Sequence, residues 1–261
     1  MNEQGQNFVL TISGSDSSGG AGMQADNRAI LAAGAFPLNV VTAITLQTPE
    51  GVEEVDLVDV ERVRLHTRRL LDLYPVKSIK GGMLGSLDIA TAVAEILMDF
   101  PDIPYVLDPV LASTSGHDLL DPKALAYLRE TLMPRAVLIT PNLQELYALS
   151  EQPREVPPLV AAQGLAKYIK RFVLLKGGHF FGAQCEDWLV NPDGGQEVFA
   201  GERIESKNVR GTGCALSSLI AAHLAGGSSV PAAVLKAKRE LESSIRSMAD
   251  RPWEGPGPAY L

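Results

Sequence analysis

Short β-rich runs alternate with helical stretches along almost the whole 261-residue chain. That alternation restricts the architecture to a mostly parallel sheet with helices packed on both faces. The expected strands are residues 8–12, 38–44, 76–79, 105–107, 136–139 and 172–175, followed by a hairpin over 186–204 that turns at 191–195. The expected helices are 21–33, 60–73, 87–100, 122–132, 158–170, 213–225 and 231–249. Gly34 suits a helix stop, and Val60, Val63, Leu65, Leu70 and Leu73 give the second helix an apolar contact set. The proline-rich stretch 151–158 is short enough to be a surface loop, and neither a linker nor a repeat divides the chain. Residues 1–261 therefore read as one domain with ample material for a core.

Charged residues make up 21% of the chain and the net charge is −8, without a lysine or arginine cluster. This argues against a nucleic-acid or membrane surface. Anions are repelled at long range, so any phosphate chemistry needs local donors, helix termini or a metal. Cys185 and Cys214 form no CxxC pair, and the four histidines show neither triad nor metal spacing, so a zinc site is not expected. The opening MNEQGQNFVL lacks a basic region followed by an apolar one, and no apolar run reaches membrane length. The expectation is a cytoplasmic protein.

Ligands of parallel sheets bind beyond the carboxyl ends of the strands. Asp108, Asn142, Glu145 and Lys176 all fall at or just past such ends. The most informative stretch is 209–225, VRGTGCALSSLIAAHLA, where Gly211, Thr212, Gly213 and Cys214 run into an apolar helix. A helix N-terminus offers unpaired N–H groups and partial positive charge to an anion, and glycines let it approach. The same placement is expected to lower the Cys214 pKa. The alternative is a glycine turn that merely allows tight packing. Residues 13–26, SGSDSSGGAGMQAD, match neither a Walker A loop nor a dinucleotide fingerprint. They read as a substrate loop or as a flexible turn. Asp26 suits either a ligand contact or the helix dipole. Asn142 and Glu145 form an N-x-x-E capping pattern, and beside Asp108 and Lys176 a magnesium role for Glu145 is also open. Lys176-Gly177-Gly178 suits phosphate, or a plain surface turn. Met83 and Gln47 lie at strand ends, where packing and a solvated amide are the commoner roles, and His117 suits a simple loop histidine.

Taken together, SGSDSSGGAGMQAD, VTAITLQTPEGV, KGGMLGS, VLDPVLASTSGHDLL, LITPNLQEL, LLKGGH and RGTGCALSSLIAAHLAGG resemble, in the same order, the hydroxymethylpyrimidine/phosphomethylpyrimidine kinases of thiamine synthesis, within the ribokinase-like superfamily. The resemblance runs from about residue 9 to about residue 248. It implies a three-layer α/β sandwich with a central, mostly parallel sheet and a small β flap over the pocket. It implies transfer of the ATP γ-phosphoryl to the hydroxymethyl group of the pyrimidine and then to the monophosphate, with Mg2+. Carried over by position, Gly14, Asp26, Gln47 and Met83 would face the pyrimidine. Lys176, Asn142 and Asp108 would serve ATP, and Glu145 with Asp108 the metal. Gly211, Thr212, Gly213 and Cys214 would form the anion hole, with Cys214 accepting or orienting the substrate's proton. A small-molecule substrate and a homodimer are the implied partners.

Several positions depart from the family pattern: Ser17 for a proline, Asn27-Arg28-Ala29 after Asp26, Thr48-Pro49 after Gln47, Gly81 for a β-branched residue, and the ending GPGPAYL. They cluster on the substrate side and leave the substrate and the second phosphorylation open, and Gly81 is expected to loosen its strand end. The rival readings are a pyridoxal or pyridoxine kinase, and a non-catalytic pyrimidine-binding relative. A sugar kinase would carry Asp where this chain has Cys214.

Overall fold

The structure is a computed structural model that describes residues 5–48, 51–113, 116–177, 184–252 and 257–259. Its elements are β1 (Phe8–Asp16), α1 (Gly22–Ala32), β2 (Phe36–Thr48), β3 (Gly51–Leu57), α2 (Val60–Leu73), β4 (Val76–Gly81), α3 (Leu87–Met98) and β5 (Tyr105–Leu107). These are followed by α4 (Ala124–Tyr127), β6 (Leu138–Ile139), α5 (Leu143–Ser150), α6 (Pro158–Ile169), β7 (Phe172–Leu175), β8 (Gln184–Val190), β9 (Gln196–Glu202), α7 (Thr212–Ala225) and α8 (Val230–Met248). The strands form one nine-stranded sheet in the order β3-β2-β1-β4-β5-β6-β7-β8-β9. From β2 to β7 every pairing is parallel, and β3, β8 and β9 add antiparallel edges.

Alternation along the central strands divides the core in two, because successive side chains point to opposite faces. Leu10, Tyr105, Leu107, Ile139 and Val173 pack beneath α2–α6. Val9, Val106, Leu138 and Leu174 pack beneath α1, α7 and α8. Strands buried on both faces read as continuous apolar runs, which is why the central ones are evident in the sequence. Helix α7 lies against the sheet, α1 and α8 together. It is buried nearly all round, Ser217 and Ser218 included.

Several elements differ from expectation, among them α5, which was not among the expected helices, and β2, which runs from 36 to 48. β1 continues to Asp16, so the substrate loop is shorter than residues 13–26. The stretch after Pro122 is no single helix: α4 passes into a π-helical turn, Leu128–Leu132, and then a 3-10 turn, Met133–Arg135. Pro134 has no N–H to continue an α-helical ladder there. β3 was not expected at all. It is a half-solvated edge strand with Glu53, Glu54 and Asp56 exposed, and so lacks an apolar run. The antiparallel β2–β3 pair is the small β element that the resemblance implies.

Gly81 does not loosen its strand. It is buried and paired with Ile12 on one side and Leu107 on the other. A Cβ at this position would collide with the Tyr105 hydroxyl. The two residues are complementary: a large ring from β5 occupies the space that a branched side chain would need. Among the described residues the buried Tyr105 hydroxyl has no hydrogen-bond partner. Overpacking a core costs about 1–3 kcal/mol. Gly81→Val should therefore lower stability in urea unfolding by about that amount, and by at least about 1 kcal/mol less in a Tyr105→Val background. Additive losses would show that the ring is not what requires the glycine.

Candidate active site

A cavity of about 420 Å³ lies where the parallel strands end. Its lining includes Ser13, Gly14 and Asp16 of β1, Lys80 of β4, and Asp108 and Lys176 just beyond β5 and β7. Gly211, Thr212, Gly213 and Cys214 at the start of α7 complete this wall. Apolar Ile204, Val209, Leu216, Leu241 and Ile245 also line it.

Gly211 caps α7 at φ +74°, where a Cβ would strike the Gly20 carbonyl. The turn can therefore close against the loop after β1 only as glycine. The Ala215 N–H reaches back to the Gly211 carbonyl at 2.8 Å, so the ladder of α7 begins there. The amides of Gly213 and Cys214 precede it and have no helical partner. A Cβ on Gly213 would lie 3.3 Å from Lys176 Nζ. The phosphate-type lysine and the open helix end thus meet at one place. The loop after β1 is tied to the same turn. Asp16 accepts from the Ser18 and Ala21 amides at 2.8 Å each and from Arg210 at 3.4 Å.

Two buried lysine–aspartate pairs form the floor. Lys176 Nζ lies 2.9 Å from Asp108 Oδ1, which also accepts from Thr140 at 3.0 Å, while Ser217 lies 3.4 Å from Oδ2. Lys80 Nζ sits 2.8 and 2.9 Å from the two oxygens of Asp26, which also accept from Ser13 and Ser218 at 2.8 Å. Ser217 and Ser218 are adjacent on α7, three and four residues after Cys214, so they share its face. One helix therefore touches both carboxylates and presents the cysteine beside them. Burial alone would raise the Asp108 carboxyl, but Lys176 and Lys80 overcome it and hold it below the usual range. Burial likewise opposes the charge on Lys176, yet Asp108 and Glu145 keep its ammonium above the usual range.

Cys214 departs from expectation. Burial, together with Asp26 and Asp108, pushes its pKa up to about 11, against the opposing influence of Lys80 and the Gly22 N–H. The expected lowering by the helix end is outweighed, and the residue is a neutral thiol at pH 7. Asp26 departs as well. It is fully buried, is not part of the cavity lining, and has both oxygens occupied, so it braces the wall and offers a ligand nothing. Gly14 and Met83 line the cavity together. A Cβ on Gly14 would come within 2.9 Å of the Met83 sulfur, so the glycine makes room for the thioether. Gln47 lines it from β2. Asn142 and Glu145 line it too and form a complete capping box, the Asn142 N–H donating to Glu145 at 2.7 Å and the Glu145 N–H to Asn142 at 2.9 Å. Burial pushes the Glu145 carboxyl up to about 7 despite Lys176 at 3.8 Å. Gly178 and His179 lie outside the described residues, as does Pro49.

Lys80 was not singled out from the sequence, nor were Asp16, Arg210, or the buried pair Asp187–Lys238 at 2.7 Å, which also lines the cavity. A signal existed for Lys80. The triplet Lys-Gly-Gly occurs at 80–82 and again at 176–178, each time at the end of a parallel strand.

Phosphate donors, apolar lining and shielded acid–base pairs in one cavity are the equipment of a phosphoryl-transfer site. Comparison with known proteins agrees. The phosphomethylpyrimidine kinase family matches residues 16–258. The hydroxymethylpyrimidine/phosphomethylpyrimidine kinase of Streptomyces coelicolor is 40% identical over 241 residues, 91% of this chain and 88% of that protein. Among solved structures, an ADP complex of Bacillus subtilis pyridoxal kinase has a TM-score of 0.88 at 30% identity and covers 98% of both chains. A phosphomethylpyrimidine kinase from Clostridium difficile 630 has a TM-score of 0.78 at 33% identity, covering 92% of this chain and 100% of that one. The chain belongs to the phosphomethylpyrimidine kinase family.

Only the thiolate is alkylated, so a raised pKa slows the reaction at ordinary pH. In a Cys185→Ser background, iodoacetamide should modify Cys214 at pH 8 about 100-fold more slowly than a free cysteine. The rate should climb about tenfold per pH unit beyond pH 9, where a free thiol has already levelled off. A plateau near pH 8.5 would contradict the environment described for this sulfur.

Proposed function

We propose that the protein transfers the γ-phosphoryl of ATP to the hydroxymethyl group of 4-amino-5-hydroxymethyl-2-methylpyrimidine, and then phosphorylates the monophosphate to the diphosphate, as a step of thiamine synthesis. The observation that carries this reading is Lys176 held by Asp108 against the open end of α7, in a chain of this family. Gly14, Gln47 and Met83 would face the pyrimidine, with Asp26 supporting them from behind. Lys176, Asn142 and Asp108 would serve the nucleotide. Residues 1–261 are read as one kinase domain acting on a small molecule, in the cytoplasm and as a homodimer. No helix among the described residues is long and apolar enough to cross a membrane.

Phosphoryl transfer asks the protein mainly for positioning and charge neutralisation. The amides of Gly213 and Cys214, with Lys176, would stabilise the oxygens of the migrating group. Among the described residues no group of three or more acidic, His or Cys side chains is arranged to hold a metal ion. Magnesium needs fewer, because water and substrate phosphates complete its shell. Glu145 and Asp108 fit that requirement and would hold the ion. When bound, it supplies further neutralisation of phosphate charge and favours the ionised form of Glu145. Cys214, a neutral thiol, would orient the attacking hydroxyl through its sulfur, since a loose transition state releases the alcohol's proton late.

A second reading, a pyridoxal kinase, is favoured by the TM-score of 0.88 to such an enzyme. Mass spectrometry of products formed from ATP, Mg2+ and either ring, assayed side by side, decides between them. Pyrimidine mono- and diphosphate are expected, and pyridoxal phosphate as the main product would overturn the assignment. Cys214→Ala should lower kcat by about 10²-fold or more with little change in substrate KM, and Cys214→Ser should recover part of that loss. Near-normal turnover of the alanine variant would remove the cysteine from the mechanism.

A further inference from the structure

We infer that Lys80 is the cation that receives the acceptor's own phosphate, so that it governs the second phosphorylation far more than the first. The inference rests on the two-step reading above. In the first transfer the acceptor is a neutral alcohol. In the second, a phosphate oxygen of the monophosphate attacks the γ-phosphorus, the bond from that phosphorus to the β-bridging oxygen breaks, and ADP leaves with the electron pair. A second anionic group must then enter a cavity already walled by Asp108 and Glu145, with Asp26 behind them. Lys176 is engaged by Asp108 and lies beside the open helix end, the place argued above for the nucleotide. Lys80, Lys238 and Arg203 are the other cations of the lining. Lys238 is held by Asp187 and the Cys185 carbonyl from β8, whereas Lys80 belongs to the strand-end wall that also carries Lys176 and the open end of α7.

Its surroundings suit conditional use. Lys80 is wholly shielded from water, whereas the side chain of Lys176 keeps 15% of its exposure. Among the described residues it bonds only to Asp26, which takes two of its three N–H groups and leaves one. Asp26 does not depend on it alone, because the hydroxyls of Ser13 and Ser218 donate one to each oxygen. The ammonium can turn toward a phosphate while the carboxylate keeps a partner on both atoms. Gly82 leaves the space: a Cβ there would come within 2.7 Å of Lys80 Nζ. A buried ion pair adds little to stability over an apolar pair of the same volume. Its place in a cavity wall therefore suggests use by a ligand.

The test is the ratio of kcat/KM for the monophosphate to kcat/KM for the alcohol, measured on the full chain. Lys80→Met should lower this ratio about 10- to 100-fold, chiefly through KM for the monophosphate, as expected for loss of a charge-assisted contact. Gly82→Ala, which crowds both the amine and Ser13 but keeps the charge, should lower the ratio in the same sense by a smaller factor. It decides the matter if Lys80→Met fails to fold. A parallel fall of both reactions, or an unmoved ratio, would overturn the inference and leave the two-step reading intact. A wild type that makes monophosphate but no diphosphate would overturn both.

Discussion

The site depends on holding four charges together, three at the ends of β4, β5 and β7 and one in α1. Each lysine–aspartate pair would be costly alone, because desolvation can exceed the Coulombic gain unless the remaining lone pairs are satisfied. Here hydroxyls share the carboxylates with the lysines. Ser13 and Ser218 each donate to one oxygen of Asp26, and Thr140 donates to Asp108 Oδ1, while the Ser217 hydroxyl lies 3.4 Å from Asp108 Oδ2 and nearer the Gly213 and Cys214 carbonyls. Two of these hydroxyls are neighbours on α7, so that helix is fixed in rotation and depth by polar contacts as well as by its apolar faces. Its open end, two residues of helix and a glycine turn earlier, is placed by the same bonds.

That arrangement explains why local sequence rules misjudge Cys214. A helix N-terminus favours a thiolate, but its influence fades within the first turn and is modest. Desolvation of the sulfur acts more strongly in the opposite sense, and the Asp26 and Asp108 carboxylates add to it against Lys80. The two aspartates come from strands and helices far away in the chain. Nothing within GTGC could report them.

Legibility of the fold followed the same division. Residues 60–73, 105–107 and 172–175 were bounded correctly, although the buried face of 60–73 was misread: Leu65 and Leu73 are exposed, and Val63, Thr67 and Leu71 are buried. β3 escaped because an edge strand with one wet face carries little apolar signal, and the π-helical turn at 128–132 escaped because the apolar spacing continues through it. In the site, strand-end position identified Asp108, Asn142, Glu145 and Lys176, all of which reach the cavity. The family resemblance, not strand-end position, placed Asp26 at the pyrimidine, and sequence cannot distinguish a carboxylate beside a cavity from one sealed behind it. Lys80 was passed over for the mirror reason: a lysine inside a strand reads as solvated until its buried partner is known.

The closeness of the chain to both a pyridoxal kinase and phosphomethylpyrimidine kinases has a physical basis in this layout. On the function proposed above, the elements that would handle phosphate belong to α7 and to the ends of β5 and β7, and they need only a primary alcohol within reach. Recognition of the ring would fall to other parts of the lining, Gly14 and Met83 side by side and Gln47 on the β2–β3 hairpin. The two sets share few bonds, so one can change while the other is kept. The departures at Ser17, Thr48 and Gly81 are not in the cavity lining, and Gly81 is compensated within the core by Tyr105. A change of ring preference in such a frame requires new side chains around a few strand ends and no change in the phosphate machinery.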